Sequence, residues 1–286
     1  MYEIHKPVLV KETMEYLRIK QGGTYIDATL DGGGHARAIL AYGAKRVIGI
    51  ERDPEIVGMT KKEHIPNLLV EEGNYTAMEE FVKKSHIQNI DGVLFDFGLS
   101  SWHLENSQRG FSFLRDEVLD MRFSKKEKVT AAEIINTSSV EELIKIFHEY
   151  GEEKFASRAA RAVVVARKQG RILTTARLSQ ILEDVLPKRN AKNPVTKIFQ
   201  ALRIAVNHEL ENIQLGLEVA MRLVVPGGRV VAISFHSLED RIVKNAFRGD
   251  ERGFAITKKP VTPPLEEIKE NPRARSACLR AWERRV

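Results

Sequence analysis

Cysteine is nearly absent from this chain: of 286 residues, only Cys278 carries a thiol. A single thiol excludes a disulfide framework. The eight histidines are scattered without the spacing of a zinc site, so we predict no structural or catalytic metal. Nothing at the N-terminus resembles a signal peptide or a membrane span. We therefore expect a soluble, cytoplasmic protein that makes no use of a membrane.

Two common nucleotide-binding patterns are also missing. The sequence Asp-Gly-Gly-Gly-His at 31–35 lacks the third glycine of Gly-x-Gly-x-x-Gly, which argues against a nicotinamide dinucleotide. No P-loop ending in Gly-Lys-Ser/Thr is present, so the sequence has no motif for hydrolysis of a nucleoside triphosphate. Cys278 lies in an apolar strand pattern, which disfavours the thiolate mechanism that cytosine C5 methylation requires.

Positive charge is concentrated in two places. The formal net charge is +6, and residues 252–286 hold nine Lys or Arg against four Asp or Glu, which gives +5 of it. A second basic run, residues 157–171, contains no acid. Such runs are typical of polyanion contact, although a solvated helix face is the alternative for the second.

Apolar runs and helical patterns alternate along much of the chain, which indicates βαβ units and an α/β fold. A 229–234 strand follows, and the last two strands have no crossover helix between them, so antiparallel pairing is open to them. Together these strands predict a mostly parallel, seven-stranded sheet. The other predicted strands lie at 24–28, 46–50, 67–70, 92–96, 254–259 and 276–283.

A helical region interrupts this alternation. Residues 102–122 form an irregular segment too long for an ordinary connection, as functional loops often are. Residues 130–193 are helical throughout and include a capping box at Ser139, and Pro194 begins one long helix to about Leu223. We predict a sheet domain formed by residues 1–105 and 205–286, and an inserted, mainly helical, substrate-recognition domain at 106–204.

The turn after the first strand is the strongest indication of a ligand. Three glycines at 32–34 allow close approach of the backbone, and the second strand ends in Glu51, an acid able to bind both hydroxyls of a ribose. The alternative for Glu51 is a solvated strand end, whereas Asp53 before Pro54 reads as a helix cap. S-adenosylmethionine fits this pattern better than a dinucleotide does.

The chain resembles the MraW/RsmH bacterial methyltransferases, which modify the exocyclic N4 amine of a cytidine in 16S ribosomal RNA. The resemblance covers nearly the whole chain and rests on eight signatures in family order. They are His5-Lys-Pro-Val8, Asp31-Gly-Gly-Gly-His35, Asp96-Phe-Gly-Leu-Ser-Ser101, Arg109-Gly-Phe-Ser-Phe113, Leu119-Asp-Met-Arg122, Tyr150-Gly-Glu-Glu153, Ser234-Phe-His-Ser-Leu-Glu-Asp-Arg241 and Asn271-Pro-Arg-Ala-Arg-Ser276.

The resemblance implies a class I, Rossmann-like methyltransferase core with an inserted helical domain. It also implies S-adenosylmethionine as cofactor and 16S rRNA of the small ribosomal subunit as partner. The cofactor-binding residues that it implies are Gly33, Gly34, His35, Glu51, Tyr75, Asp96 and His103. For an isolated tyrosine after a strand, core packing is an equal alternative to the role of Tyr75 as a wall for the adenine.

Methyl transfer from a sulfonium needs alignment and exclusion of water more than acid or base strength. The cytosine amine is a weak nucleophile, so an acceptor beside it helps. Asp96 is the first candidate and His236 the second, although Asp96 can equally accept from the adenine amine. For His236 the alternative is a helix start with Ser237 as the cap. Phe97 and Phe235 are candidates for stacking on the target base or for core packing.

The phosphates of the RNA are predicted to contact Arg158, Arg161, Arg273, Arg275 and Arg280. Two other functions stay open. One is an amino-methyltransferase acting on DNA or on a small amine, and the other is a catalytically silent ribosome-binding factor that keeps the fold for its shape. The sequence also leaves open whether the protein forms a homodimer.

Overall fold

The computed structural model describes residues 6–187 and 193–286, so His5 of the first family signature lies outside the described residues. The strands are β1 Thr24–Asp27, β2 Arg46–Glu51, β3 Leu68–Glu72, β4 Ile90–Asp96, β5 Val224–Ser234, β6 Gly253–Ala255 and β7 Cys278–Arg284. The helices are α1 Val10–Leu17, α2 Gly34–Ala41, α3 Pro54–Lys62, α4 Met78–Lys84, α5 Ser101–Glu105, α6 Ala131–Thr137, α7 Val140–Glu149, α8 Ala156–Ala166, α9 Thr175–Glu183, α10 Thr196–Asn207, α11 Glu209–Leu223, α12 Ser237–Gly249 and α13 Leu265–Glu270, with short 3₁₀ helices at Tyr75–Ala77 and Pro272–Ser276.

The seven strands form one sheet in the order β3-β2-β1-β4-β5-β7-β6. Neighbouring strands from β3 to β5 are parallel, and β7 is antiparallel to both β5 and β6. The predicted mostly parallel, seven-stranded sheet and the antiparallel pairing of its last two strands are therefore confirmed. Because β1, β2 and β4 are parallel neighbours, their carboxyl ends lie along one edge of the sheet.

Both faces of the sheet are buried, which explains why its strands read as continuous apolar runs. Phe95, Leu217 and Trp282 belong to the hydrophobic cluster on one face. Leu94, the neighbour of Phe95 in β4, belongs with Ile39 to the cluster on the other face. Alternate residues of a strand point to opposite faces, so β4 contributes to two cores at once.

The chain divides into two compact units. The sheet unit comprises the residues up to Ser100 and Leu210–Val286, and the second unit comprises Ser101–Glu209. The second unit contains α5 to α10 and a long irregular segment between α5 and α6. Its α7 begins with the predicted capping box, in which Ser139 accepts from the Glu142 N–H and Glu142 accepts from the Ser139 N–H.

The prediction of one helix from Pro194 to Leu223 is wrong. The chain forms α10 and α11, which are separated at His208, whose φ is 51°. Asn207 holds this break because its Oδ1 accepts from the N–H of Phe123 at 2.9 Å and its Nδ2 donates to the carbonyl of Met121 at 2.7 Å. These partners are more than 80 residues away in sequence, and no glycine or proline marks the break.

The sixth strand is also shorter than the predicted 254–259. It ends at Ala255, and residues 258–259 form a bend before Pro260. Beyond Ala255 the Ile256 N–H still donates to the Ala281 carbonyl at 2.9 Å, and the backbone then meets β7 again at an isolated bridge between Val261 and Leu279. The apolar pattern therefore predicted the pairing but not the length of the pairing.

Asn207→Ala should lower the free energy of unfolding by about 2–4 kcal/mol, because it leaves the buried N–H of Phe123 and the carbonyl of Met121 without partners. Urea unfolding followed by circular dichroism measures the effect. Gln169→Ala, at an exposed turn after α8, is the matched control and should change stability by less than about 0.5 kcal/mol. Equal effects of the two substitutions would contradict the role given to Asn207.

Candidate functional site

Three acidic side chains are buried at the carboxyl edge of the parallel strands. Asp27 ends β1, Glu51 ends β2 and Asp96 ends β4. Their exposed fractions are 0%, 8% and 6%. Acids are seldom buried without compensating partners, so each carboxyl is described by the groups that surround it.

The glycine turn between β1 and α2 depends on two different constraints. Gly33 has a φ of 75°, a left-handed conformation that favours glycine. Gly34 has no such φ, but a Cβ there would lie 2.9 Å from the ring of Pro7. The turn thus needs glycine at 33 for its backbone conformation and at 34 for its contact with Pro7, whether or not a ligand also approaches it.

Glu51 fastens this turn to the second strand. Its Oε2 accepts from the Asp31 N–H at 3.0 Å, and its Oε1 accepts from the Asp53 N–H at 2.8 Å. Burial raises the pKa of the Glu51 carboxyl, although these N–H donors act in the opposite direction. Asp53 caps α3 through the Glu55 N–H, as predicted, with Pro54 at the first helical position. A carboxylate oxygen can accept more than one hydrogen bond, so ribose hydroxyls can still reach Glu51.

Asp96 lies beside the first turn of α2. Its backbone N–H donates to Thr29 Oγ1 at 2.6 Å, and its Oδ2 is 3.4 Å from Nε2 of His35. The His35 side chain is 4% exposed, and neither of its ring nitrogens makes a hydrogen bond to a described residue. A buried imidazole with unused donor and acceptor atoms is the kind of group that a polar ligand completes.

Asp27 is absent from the predicted site but belongs to this edge. Its Oδ1 accepts from the Thr29 N–H at a long 3.4 Å, and its Oδ2 has no hydrogen-bond partner among the described residues. Burial raises the pKa of Asp27 to about 7; His35 lowers it, and the carboxylates of Asp96 and Glu51 raise it further. The only signal in the sequence is an acid that ends an apolar run.

Aromatic side chains line the core next to Asp96. Tyr75 is 8% exposed and packs edge-on against Phe95, with ring centroids 5.4 Å apart. Phe97 is buried and stacks on Phe95 at 5.2 Å, which supports core packing rather than stacking on a target base. Phe235 is half-buried and lies against Gly98.

His236 is the N-cap of α12, so the alternative of a helix start here is found, with His236 rather than Ser237 as the cap. Nδ1 of His236 accepts from the Glu239 N–H at 3.4 Å, and Nε2 lies 3.1 Å from Oε1 of Glu239. Glu239 completes the capping box by accepting from the His236 N–H at 3.2 Å. The imidazole is thus engaged in starting a helix, which leaves Asp96 as the better candidate for chemistry.

His103 lies in the second compact unit, in α5. Its ring packs edge-on between Phe111 and Phe123, with centroids 5.1 and 5.0 Å away. Arg109 lies over the ring of Trp102 at 5.3 Å and donates to the Phe123 carbonyl at 2.9 Å. The Arg109–Phe113 signature and Phe123, the residue after the Leu119–Arg122 signature, therefore meet in one aromatic cluster within this unit.

The predicted phosphate-binding arginines divide into two groups. Arg158, Arg161, Arg273 and Arg275 are exposed. Arg280 is 6% exposed, and its Nε and guanidinium nitrogen donate to the two oxygens of Asp240 at 2.6 and 2.9 Å. A buried guanidinium held at two points is not available to a phosphate, so the prediction for Arg280 is wrong.

Within residues 6–187 and 193–286, no group of three or more His, Cys, Asp or Glu side chains is arranged to hold a metal ion. In the same part of the chain, every helix is too short or too polar to cross a bilayer.

Comparison with known proteins gives one consistent result. The model of a family described as the MraW methylase family matches residues 2–285. The chain is 44% identical over 289 residues to a ribosomal RNA small subunit methyltransferase H from Dictyoglomus thermophilum, covering 99% of this chain and 97% of that one. It is 42% identical over 303 residues to the protein of the same name from Carboxydothermus hydrogenoformans, covering 98% of this chain and 97% of the other.

The raised pKa of Asp27 predicts how stability changes with pH. In the unfolded chain this carboxyl has its ordinary pKa of 3.8, and in the folded protein burial raises the pKa to about 7. Between these values the folded state binds the extra proton, so the free energy of unfolding falls as pH rises. Asp27→Asn has no proton to lose, and its stability relative to wild type should rise by about 2 kcal/mol between pH 5 and pH 8.

Urea unfolding of cofactor-free protein at the two pH values measures this difference. Asp184→Asn, an exposed acid after α9, is the control and should follow the wild type. A constant offset between Asp27→Asn and wild type at both pH values would show that Asp27 is already ionised at pH 5.

Proposed function

Because the chain belongs to the MraW methylase family, we propose that it transfers the methyl group of S-adenosylmethionine to the exocyclic N4 amine of a cytidine in 16S rRNA of the small ribosomal subunit. The full-length similarity to proteins named ribosomal RNA small subunit methyltransferase H supports the substrate class. The observation that carries the proposal is the acidic edge with its glycine turn, beside a buried histidine whose ring nitrogens make no hydrogen bond to a described residue.

The residues at this edge fit the cofactor. Its ribose suits a buried acid such as Glu51, and its polar amino-acid end suits the ring nitrogens of His35 at the start of α2. Tyr75 offers an apolar surface for the adenine beside β4. The proposed cofactor-binding residues are Gly33, Gly34, His35, Glu51, Tyr75, Asp96 and His103.

The cofactor supplies a methyl group bound to a positively charged sulfur, and the neutral thioether that remains after transfer is a good leaving group. The protein then has to align the amine with that methyl group and exclude water. Asp96 is proposed to accept a hydrogen bond from the N4 amine and so to localise its lone pair as the new bond forms. Its burial at the end of β4 strengthens that interaction, because little water competes for the carboxylate.

The direct test is incubation of the protein and methyl-labelled S-adenosylmethionine with small subunits from cells that lack it. Mass spectrometry of the nucleosides should then show label on cytidine N4. Label on another atom or nucleoside would contradict the N4 proposal, and methylation of DNA or of a free amine instead would support the alternative substrates. Tight cofactor binding without any transfer would point to a silent ribosome-binding factor.

Asp96→Asn should separate the two possible roles of this carboxylate. If Asp96 accepts from the substrate amine, kcat at saturating cofactor should fall by about 100-fold or more, while the cofactor Kd changes by less than about tenfold. The measurements are single-turnover methylation of small subunits and calorimetric titration of the cofactor. Asp184→Asn is the control. A raised cofactor Kd with kcat retained would instead place Asp96 on the adenine.

The RNA is proposed to be held partly by a stripe of cations on and beside α8, defined by Lys154, Arg158, Arg161 and Lys168. Arg158 and Arg161, three residues apart, share one face of α8, and Lys154 and Lys168 lie in the turns before and after this helix. All four are exposed, and none of their side chains forms an ion pair or hydrogen bond with any residue that the structure describes. Unpaired cations in a row suit the regularly spaced phosphates of a nucleic acid.

The double substitution Arg158→Gln/Arg161→Gln should weaken RNA binding by about tenfold and lower the slope of log Kd against log salt by about 1.5, as for two lost phosphate contacts to single-stranded RNA. Filter binding to a 16S rRNA fragment between 50 and 200 mM salt, as is usual for counterion analysis, measures both. Lys61→Gln/Lys62→Gln removes the same charge from the exposed end of α3 and is the control. Identical slopes for both variants would contradict a specific role for α8.

A further inference from the structure

The Asp27 carboxyl has fewer hydrogen-bond donors around it than an ionised carboxylate needs. Asp27 is fully buried, its Oδ2 has no partner among the described residues, and the one hydrogen bond that its side chain accepts from them, from the Thr29 N–H, is 3.4 Å long. An ionised carboxylate with so little compensation is costly in a buried site, whereas a neutral carboxylic acid is not.

Three titratable groups face Asp27 from the elements around it. Glu51 lies at the end of β2, Asp96 at the end of β4, and His35 at the start of α2. The two acids oppose ionisation of Asp27, and the histidine favours it. Burial and the two acids together raise the pKa of Asp27 to about 7.

Glu51 is the alternative carrier of a proton at this edge, and its surroundings differ. It accepts from the backbone N–H groups of Asp31 and Asp53 at 3.0 and 2.8 Å, and such donors stabilise the ionised form of a carboxylate. Asp27 has no comparable pair of donors. The geometry therefore places the proton of the empty site on Asp27.

We propose that Asp27 is a further residue of the cofactor site, neutral in the empty protein, and that it ionises when S-adenosylmethionine binds. The cofactor carries a sulfonium, an ammonium and a carboxylate, so its net charge is positive, and a positive ligand lowers the pKa of a nearby acid. The O–H bond of Asp27 breaks, the electron pair stays on the carboxylate, and the proton passes to the buffer. This inference rests on the cofactor and not on the proposed RNA substrate.

Calorimetric titration of S-adenosylmethionine into the full-length protein tests the inference. The observed enthalpy is measured in phosphate and in Tris, because its slope against the ionisation enthalpy of the buffer counts the protons released. We expect release of about half a proton or more near pH 6.5. The Kd should fall by up to about tenfold per pH unit in this range, where the amino group of the cofactor stays protonated.

Two comparisons assign the proton. Asp27→Asn should bind without the release and with a Kd that varies much less with pH, whereas Glu51→Gln should bind more weakly but keep the release. S-adenosylhomocysteine has lost the sulfonium charge, so it should release less from the wild-type protein than S-adenosylmethionine does. The ligand comparison uses only the wild type and holds even if Asp27→Asn fails to fold.

Three results would overturn the inference. They are no buffer dependence in the wild type between pH 6 and 7, unchanged release in Asp27→Asn, and loss of the release in Glu51→Gln alone. None of these titrations contains RNA, so failure of the proposed rRNA methylation would leave their outcome unchanged.

Discussion

The convergence of three acids at one sheet edge is the constraint on which the rest of the site depends. Parallel pairing sets the ends of β1, β2 and β4 side by side, so Asp27, Glu51 and Asp96 cannot avoid one another. Backbone N–H groups compensate Glu51, and His35 lies beside Asp96. Asp27 has no such compensation, so the edge favours a cationic ligand, and S-adenosylmethionine is one.

The same arrangement fixes the glycine turn before any ligand arrives. Glu51 holds the N–H of Asp31, while the N–H of Leu30 donates to Ile50 at 2.9 Å, so the turn is tied to β2 through side chain and backbone. Methyl transfer depends on alignment more than on acid or base strength, and a turn already held in place loses less conformational entropy on binding. The Glu51 carboxylate thus contributes both negative charge to the site and a hydrogen bond that holds the glycine turn in place.

The sequence predicted the sheet, the glycine turn and the acids at two strand ends, because these follow from local periodicity and strand order. It did not predict the break at His208, which depends on Asn207 contacting Met121 and Phe123 far away in the chain. Asp240 engages Arg280 across 40 residues, so the basic tail contributes fewer available cations than its composition indicates. Asp27 was missed because its burial follows from packing on both faces of the sheet.

The buried acids of the cofactor edge and the exposed cations of α8 lie in different parts of the chain. The sheet unit buries Asp27 and Glu51 at its acidic edge, and α8 of the second unit exposes Arg158 and Arg161. The first set attracts a cationic cofactor, and the second attracts the phosphates of an RNA. Buried acids respond to pH and are little screened, whereas exposed cations respond to salt. If both proposals hold, cofactor affinity and RNA affinity can be varied independently, through pH for the first and ionic strength for the second.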